Sequence, residues 1–298
     1  MRIGISLSSS LVADSPAQVA RWMVERAAAA YAAGLSSLSV GDHHAENRWY
    51  MQNTPTLGRL LAHWPDRPAG CLFLLPLWHP MLVAEQVGTL AAMVDAPFIV
   101  QTGIGAGEAQ FATMGASLRT RGADTDEIIR VVQALLAGET VGSERLGMAP
   151  ATLGLRPTQP VEWWIGGHAE ATLRRAATVG TAWYAGPSAT TGESERLLAG
   201  YRAACDRAGT TPRAIVRRDV LVLDDGDTAR ARAATMVERG YRGLQMHQLV
   251  VGNRDDAAAQ LQPLVDLGYD DVIVRCMTSD QNEALETIEL LGTLNPRP

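Results

Sequence analysis

The sequence predicts an α/β fold, a (β/α)8 TIM barrel with insertions, on three observations. Short apolar runs alternate with segments of helical period along all 298 residues, no two runs are joined by a two-residue hairpin, and polar clusters recur where apolar runs end. The length suits a barrel of about 250 residues plus insertions. No repeat or linker divides the chain, so residues 1–298 are expected to form one domain.

Ile3 to Leu7 is the first strand, and Ser15-Pro16 announces the helix after it, with Val19, Met23, Ala27 and Ala30 on one face and Gly34 as its stop. Ser36 to Gly41 is the second strand and runs into Asp42-His43-His44 and a polar, aromatic loop. A short helix is expected over Arg59 to Trp64, then a third strand over Cys71 to Leu75, and a helix opened by His79-Pro80. Phe98 to Thr102 is the fourth strand and ends in the glycine turn Gly103-Ile104-Gly105-Ala106-Gly107.

Helical segments follow around Glu108 to Met114 and over Asp124 to Leu136, the second capped by Asp124 or Thr125. The Gly- and Pro-rich stretch from Gly142 to Pro160 reads as a surface loop or hairpin. Val161 to Ile165 is the fifth strand, closing on Gly166-Gly167-His168, and Thr181 to Tyr184 is a short sixth. Val216 to Leu223 and Val272 to Arg275 are the seventh and eighth, each followed by a helix, with the closing helix over Gln281 to Leu291.

Composition narrows the chemistry. All 26 basic residues are arginine, and without a lysine amine the Schiff-base, pyridoxal-phosphate and phosphate-loop classes are excluded. The 32 acids leave a net charge of -6 with no basic run, so nucleic acid is not the expected partner and a small molecule is. No apolar run approaches the roughly 20 residues of a membrane span, and a cytoplasmic protein is expected. Cys71, Cys205 and Cys276 are odd in number and widely spaced, which favours buried thiols over disulfides or a cysteine metal site.

Active sites of such barrels sit at the C-terminal ends of the strands. Asp42, His43, His44, His79, Gly103 to Glu108, Gly166 to His168 and Arg275 should therefore share one mouth. Neighbouring side chains on a strand end point oppositely, so only one of His43 and His44 is expected to face the pocket. A metal held by Asp42, His43, His44 and His79 is the weaker reading, because adjacent imidazoles do not both face inward. A cofactor held by glycine turns, with one imidazole moving a proton, accounts for more of these residues. Gly103, Gly105 and Gly107 do not have the third interval of a dinucleotide fingerprint. His63 and His247 are read as surface or packing residues, and Trp22, Trp64, Trp163 and Trp164 as core.

These motifs together resemble the bacterial luciferase-like family of flavin- and deazaflavin-dependent oxidoreductases. The likeness rests on Gly41-Asp42-His43-His44, on Leu74 to Pro80 with Ala84-Glu85-Gln86, on Phe98-Ile99-Val100 running into Gly103-Ile104-Gly105, and on Gly115 with Arg119 to Gly122. Trp164-Ile165-Gly166-Gly167, Val250-Val251-Gly252 and Asp271 to Arg275 extend it over nearly the whole chain. Two departures stand out: Asp95-Ala96-Pro97 where the family often has Gly-Gly-Arg, and Asp42 where it often has Glu.

The resemblance implies a monooxygenase or hydride-transfer enzyme using FMN or coenzyme F420 at the barrel mouth, a small organic substrate, a separate flavin or F420 reductase and a homodimer. It implies that His43 and Asp42 are catalytic, with His43 moving a proton and Asp42 orienting it or the cofactor. Leu72, Phe73 and Leu74 would back the ring, with a cis peptide near Leu72-Phe73, while Gly105, Gly166 and Gly167 would contact the ribityl-phosphate side. A cofactor-binding barrel without turnover and a metal-dependent hydrolase are the alternatives.

Overall fold

Parallel strands buried on both faces demand helices on the outside and side chains filling the inside, and the chain meets both demands in order. The computed structural model describes residues 1–295. Its barrel strands are β1 (Arg2–Leu7), β2 (Leu38–Val40), β3 (Ala69–Leu74), β4 (Phe98–Gly103), β7 (Val161–Gly166), β8 (Ala182–Ala185), β9 (Ala214–Val222) and β11 (Asp271–Cys276). They pair in that order, all parallel, and β11 closes on β1 through Arg2 to Ile5 against Asp271 to Val274.

The helices α1 (Pro16–Ala32), α2 (Asn53–Leu60), α3 (Pro80–Ala91), α4 (Glu108–Thr113), α5 (Arg121–Ala137), α6 (Glu170–Val179), α7 (Thr191–Ala208), α8 (Gly226–Glu238), α9 (Arg254–Leu267) and α10 (Gln281–Gly292) complete the repeat. Their starts follow the sequence signals. Ser15 accepts from the Gln18 amide ahead of Pro16, and Thr190 with Glu193 closes a reciprocal capping pair on α7. The large core between barrel and helices holds Trp64, Phe73, Trp163 and Trp183, as well as the buried thiols Cys71, Cys205 and Cys276.

One expectation is narrowed and four need correction in detail. The stretch after the fourth strand's helices forms a hairpin, β5 (Val141–Ser143) with β6 (Met148–Ala151), the second of the two forms the sequence allowed. Helix α5 starts at Arg121, a turn before the expected Asp124 or Thr125 cap, and α2 occupies Asn53–Leu60 with a 3₁₀ turn over Leu61–His63, where a helix over Arg59 to Trp64 was expected. Val250–Gly252 is a strand, β10, unassigned by pattern because it is only three residues long. Val220 pairs with both β10 and β11, so β10 shares with β8 the other edge of β9. Among the described residues there is no cis peptide bond, at Leu72-Phe73 or elsewhere.

Inside the barrel the strand period of two stacks side chains in layers. Ile99, Trp164, Ala182, Ile215 and Ile273 form an apolar plug. Two residues earlier on three of these strands lie Glu162, Arg213 and Asp271, and two residues later on four lie Gln101, Tyr184, Arg217 and Arg275. The plug thus separates two polar ends that cannot exchange side chains.

Candidate active site

The C-terminal end holds a cavity of about 140 Å³ lined by Ser6, Leu72, Gln101, Tyr184, Arg217 and Arg275 from the strands, and by His43, Tyr50 and Arg242 from loops. Of the two adjacent imidazoles, His43 lines this cavity and His44 does not. His43 is partly open to solvent, and its Nδ1 has the Gln110 side-chain amide at 2.8 Å and Glu46 Oε1 at 3.2 Å. A hydrogen-bond donor and a carboxylate beside one ring nitrogen offer a partner to either protonation state.

Asp42 is turned differently from the expectation that it orients His43. Its Oδ2 accepts from the Leu74 backbone amide and from Trp78 Nε1, both at 2.8 Å, and its Oδ1 stands 3.2 Å from His44 Nε2. The carboxylate is fully buried, and His44 packs edge-on against Trp78. Asp42 therefore fastens the end of β2 to the end of β3, which fixes the backbone from which His43 projects.

The residues expected to back a ring divide. Leu72 faces the cavity, and Leu74 lies beside Gly103, where an added methyl would come within 3.0 Å of its Cδ2. Phe73 points the other way, into the core against Trp78, so only its backbone is available at the mouth. Gly105 has φ +67° and sits against Phe111, and Gly166 lies so close to the Thr102 carbonyl that a Cβ would stand 2.5 Å from it. The Gly167 carbonyl accepts from Trp183 Nε1 at 2.8 Å. These glycines bring β4 and β7 backbone to the mouth edge.

Other histidines have structural partners. His79 Nδ1 accepts from the Met81 amide and so caps α3, while His168 Nε2 accepts from the Gly186 amide and ties the loop after β7 to that after β8. Burial lowers the His168 pKa. Among the described residues no three or more His, Cys, Asp or Glu side chains are grouped to hold a metal ion.

Sequence reasoning missed most of the cationic wall. Arg217, Arg242 and Arg275 line it together, and the first two share one buried acid, Asp219, which lies 3.2 Å from Arg217 and 3.3 Å from Arg242 and accepts from the Tyr241 hydroxyl at 2.9 Å. Burial, then repulsion by Arg275 and Arg217, brings the Arg242 pKa down to about 10. Burial pushes Tyr184 up to about 12 and raises Tyr50 and Tyr241 as well, so the phenols are neutral donors. The signal was present in Arg217-Arg218-Asp219, three charges inside an otherwise apolar strand.

With this geometry in place, comparison with known proteins decides the family. A family model for luciferase-like monooxygenases matches residues 1–295. The chain belongs to that family. An uncharacterised protein of Mycobacterium tuberculosis is 30% identical over 247 residues, covering 72% of this chain and 83% of that protein. Among solved structures, the monooxygenase RslO1 from Streptomyces bottropensis superposes with a TM-score of 0.86 at 19% identity, covering 98% of both chains. The oxygenating constituent of 3,6-diketocamphane monooxygenase from the CAM plasmid of Pseudomonas putida, in complex with FMN, gives 0.84 at 16% identity over 98% of this chain and 96% of that one. The coenzyme F420-dependent tetrahydromethanopterin reductase from Methanopyrus kandleri gives 0.75 at 15% identity over 98% and 97%. At such identities these structures carry the fold, a luciferase-like TIM barrel, and the family carries the class, the luciferase-like monooxygenases.

Proposed function

We propose that this luciferase-like protein acts on a small organic substrate at the cavity bearing His43, either as a monooxygenase that consumes dioxygen with reduced FMN supplied by a separate reductase, or by hydride transfer between the substrate and F420 without oxygen. The observation that carries the reading is the state of the mouth's polar atoms: Gln101 Nε2, Arg275 Nε, Ser9 Oγ and Gln110 Oε1 are buried without a hydrogen-bond partner. Buried polar groups are normally satisfied, and a cluster left open beside a cavity is a place for water or a ligand. Unpartnered donors beside the apolar face of Leu72 suit a heteroaromatic ring with carbonyl edges.

The donor set fits such a cofactor. Leu72 and Leu74 would support the ring, Gln101 would donate to its polar edge, and the backbone at Gly105, Gly166 and Gly167 would face its tail. Beyond the Gly103–Gly107 turn, Arg119 and Arg121 with the single acid Glu108 line an open depression of about 470 Å³, and two cations against one acid suit a phosphate. The cavity itself is smaller than the roughly 300–1,000 Å³ of a typical cofactor pocket. It suits the substrate or one edge of the ring.

When bound, the cofactor supplies the hydride transfer or oxygen activation. His43 holds or delivers the proton, with Gln110 donating to neutral Nδ1 and Glu46 stabilising the imidazolium. Asp42 and Trp78 keep the segment rigid, and the Trp164 plug closes the floor to water.

Titrating the apo-protein with FMN and with F420, followed by absorbance and fluorescence, tests the reading: one of them should bind, and binding of neither would end it. His43→Ala should bind that cofactor within about twofold of wild type while turnover falls about 100-fold or more, the usual scale of acid-base catalysis. Undiminished turnover would remove His43 from the proton path.

A further inference from the structure

We propose that Arg217, Arg242 and Arg275 form a recognition subsite for an oxyanion carried by the organic substrate, a carboxylate or sulfonate, so that the enzyme acts on organic acids. The inference rests on the reading of the mouth as the active site and adds the chemical class of its substrate.

Charge balance is the first support. Three guanidinium groups line the cavity, only Arg217 and Arg242 share a carboxylate, that of Asp219 behind it, and the acid that lines the cavity, Asp42, is already committed to Leu74, Trp78 and His44. Arg275 has no acid within ion-pair reach among the described residues: its Nη2 donates to Ser8 Oγ at 3.0 Å, and its buried Nε has no partner. Arg217 Nε is buried and meets Asp219 without hydrogen-bond alignment. Uncompensated buried charge is costly, and an anion from outside is the missing partner.

Backbone strain is the second. Among the described residues only Ala45 and Arg242 have positive φ without being glycine, +56° and +49°, and both lie in loops that deliver cavity residues. A left-handed arginine persists when its surroundings hold it there, and such outliers cluster at ligand clamps. Arg242 reaches Asp219 and the cavity from that conformation.

Position separates this subsite from a cofactor phosphate. The glycine turns end β4 and β7, whereas Arg217 and Arg275 come from β9 and β11, three places further round the ring of strands. The cavity between them, about 140 Å³, accepts a small acid group and not a ribityl-phosphate tail with its ring. The flat forks of guanidinium groups match a carboxylate or sulfonate, while Tyr184 and Tyr50, held neutral, add hydroxyl donors.

Calorimetry on the cofactor-free protein at low salt tests this with benzoate, its neutral analogue benzamide, and sulfate. Benzoate should bind at least about 10-fold more tightly than benzamide, weaken with added salt, and lose about 10-fold in Arg242→Gln, the scale of one charge-assisted hydrogen bond. Arg217→Gln is the second variant, with circular dichroism confirming that each folds. Equal binding of benzoate and benzamide, no binding of benzoate or sulfate, or full affinity in both variants overturns the proposal. FMN and riboflavin titrations locate the anion: a variant that weakens FMN and spares riboflavin assigns the arginines to the cofactor phosphate and overturns the substrate assignment. If benzoate binds as expected but neither FMN nor F420 does, the oxidoreductase reading fails and the acid subsite stands.

Discussion

The two ends of the barrel are built from the same strands and treat charge in opposite ways. At the N-terminal end Asp271 is held by Arg2 at 2.7 Å and by Arg213 at 3.1 Å, and Arg213 also holds Glu162 at 2.8 Å, so two arginines meet two acids. At the C-terminal end two of three arginines share one acid, the third has none, and the Nε atoms of Arg217 and Arg275 have no hydrogen-bond partner. The Trp164 layer between them is apolar, with Arg213 lying over the indole 5.7 Å from its centroid on the paired side. The lower depression is the roomier, at about 250 Å³, yet its groups satisfy one another. Unmet polarity rather than size marks the end where a ligand belongs.

Substitutions at the two ends should therefore differ in sign. Asp271→Ala takes a buried acid from Arg2, which is largely open to solvent, and from Arg213, which keeps Glu162, and should cost about 2 kcal/mol in urea unfolding, the scale of losing charge-assisted hydrogen bonds. Its effect on cofactor affinity should be small. A loss below about 1 kcal/mol would show that the lower network is not a structural clamp.

Arg217→Met at the upper end should leave stability unchanged or raise it by about 1 kcal/mol, because repulsion from Arg242 and Arg275 is relieved while Asp219 keeps Arg242 and Tyr241. A loss above about 2 kcal/mol would erase the contrast between the ends. The smallest expected effect lies outside both. Glu127 on α5 is held down to a pKa of about 2 by Arg130 and by the Ser143 hydroxyl of the hairpin. Its folded pKa is depressed, so its stabilisation is complete above about pH 4.5 and is lost as pH falls toward 2. Glu127→Gln should flatten that part of the acid-unfolding profile and cost under 1 kcal/mol at neutrality, as a largely surface pair does.

Much of the mouth could be read from the chain because its signals are local. The apolar runs, the glycines closing β4 and β7, and the abrupt Asp42-His43-His44 after β2 each report a strand end without knowledge of its neighbours. Arg275 was placed at the mouth on the same ground. The opposed directions of His43 and His44 followed from strand geometry, but which one faced inward did not. Asp42 was read with His43, and packing gave it to His44 and Trp78 instead.

Arg217 and Arg218 show where local reading stops. They are adjacent and chemically identical, yet Arg217 lines the cavity and Arg218 donates to the Arg217 and Ala189 carbonyls outside it. Arg242 belongs to an irregular segment with no period at all.

By itself, then, the order of residues determined the alternation of strand and helix, the family and the end of the barrel where chemistry sits, since each is written in short-range pattern. Only closure of β11 onto β1 decided which alternate side chains point inward, and so which charges are matched and which await a partner. The physical reason is that burial and charge pairing are properties of neighbours in space, and the three arginines come from segments that meet only once the barrel is shut.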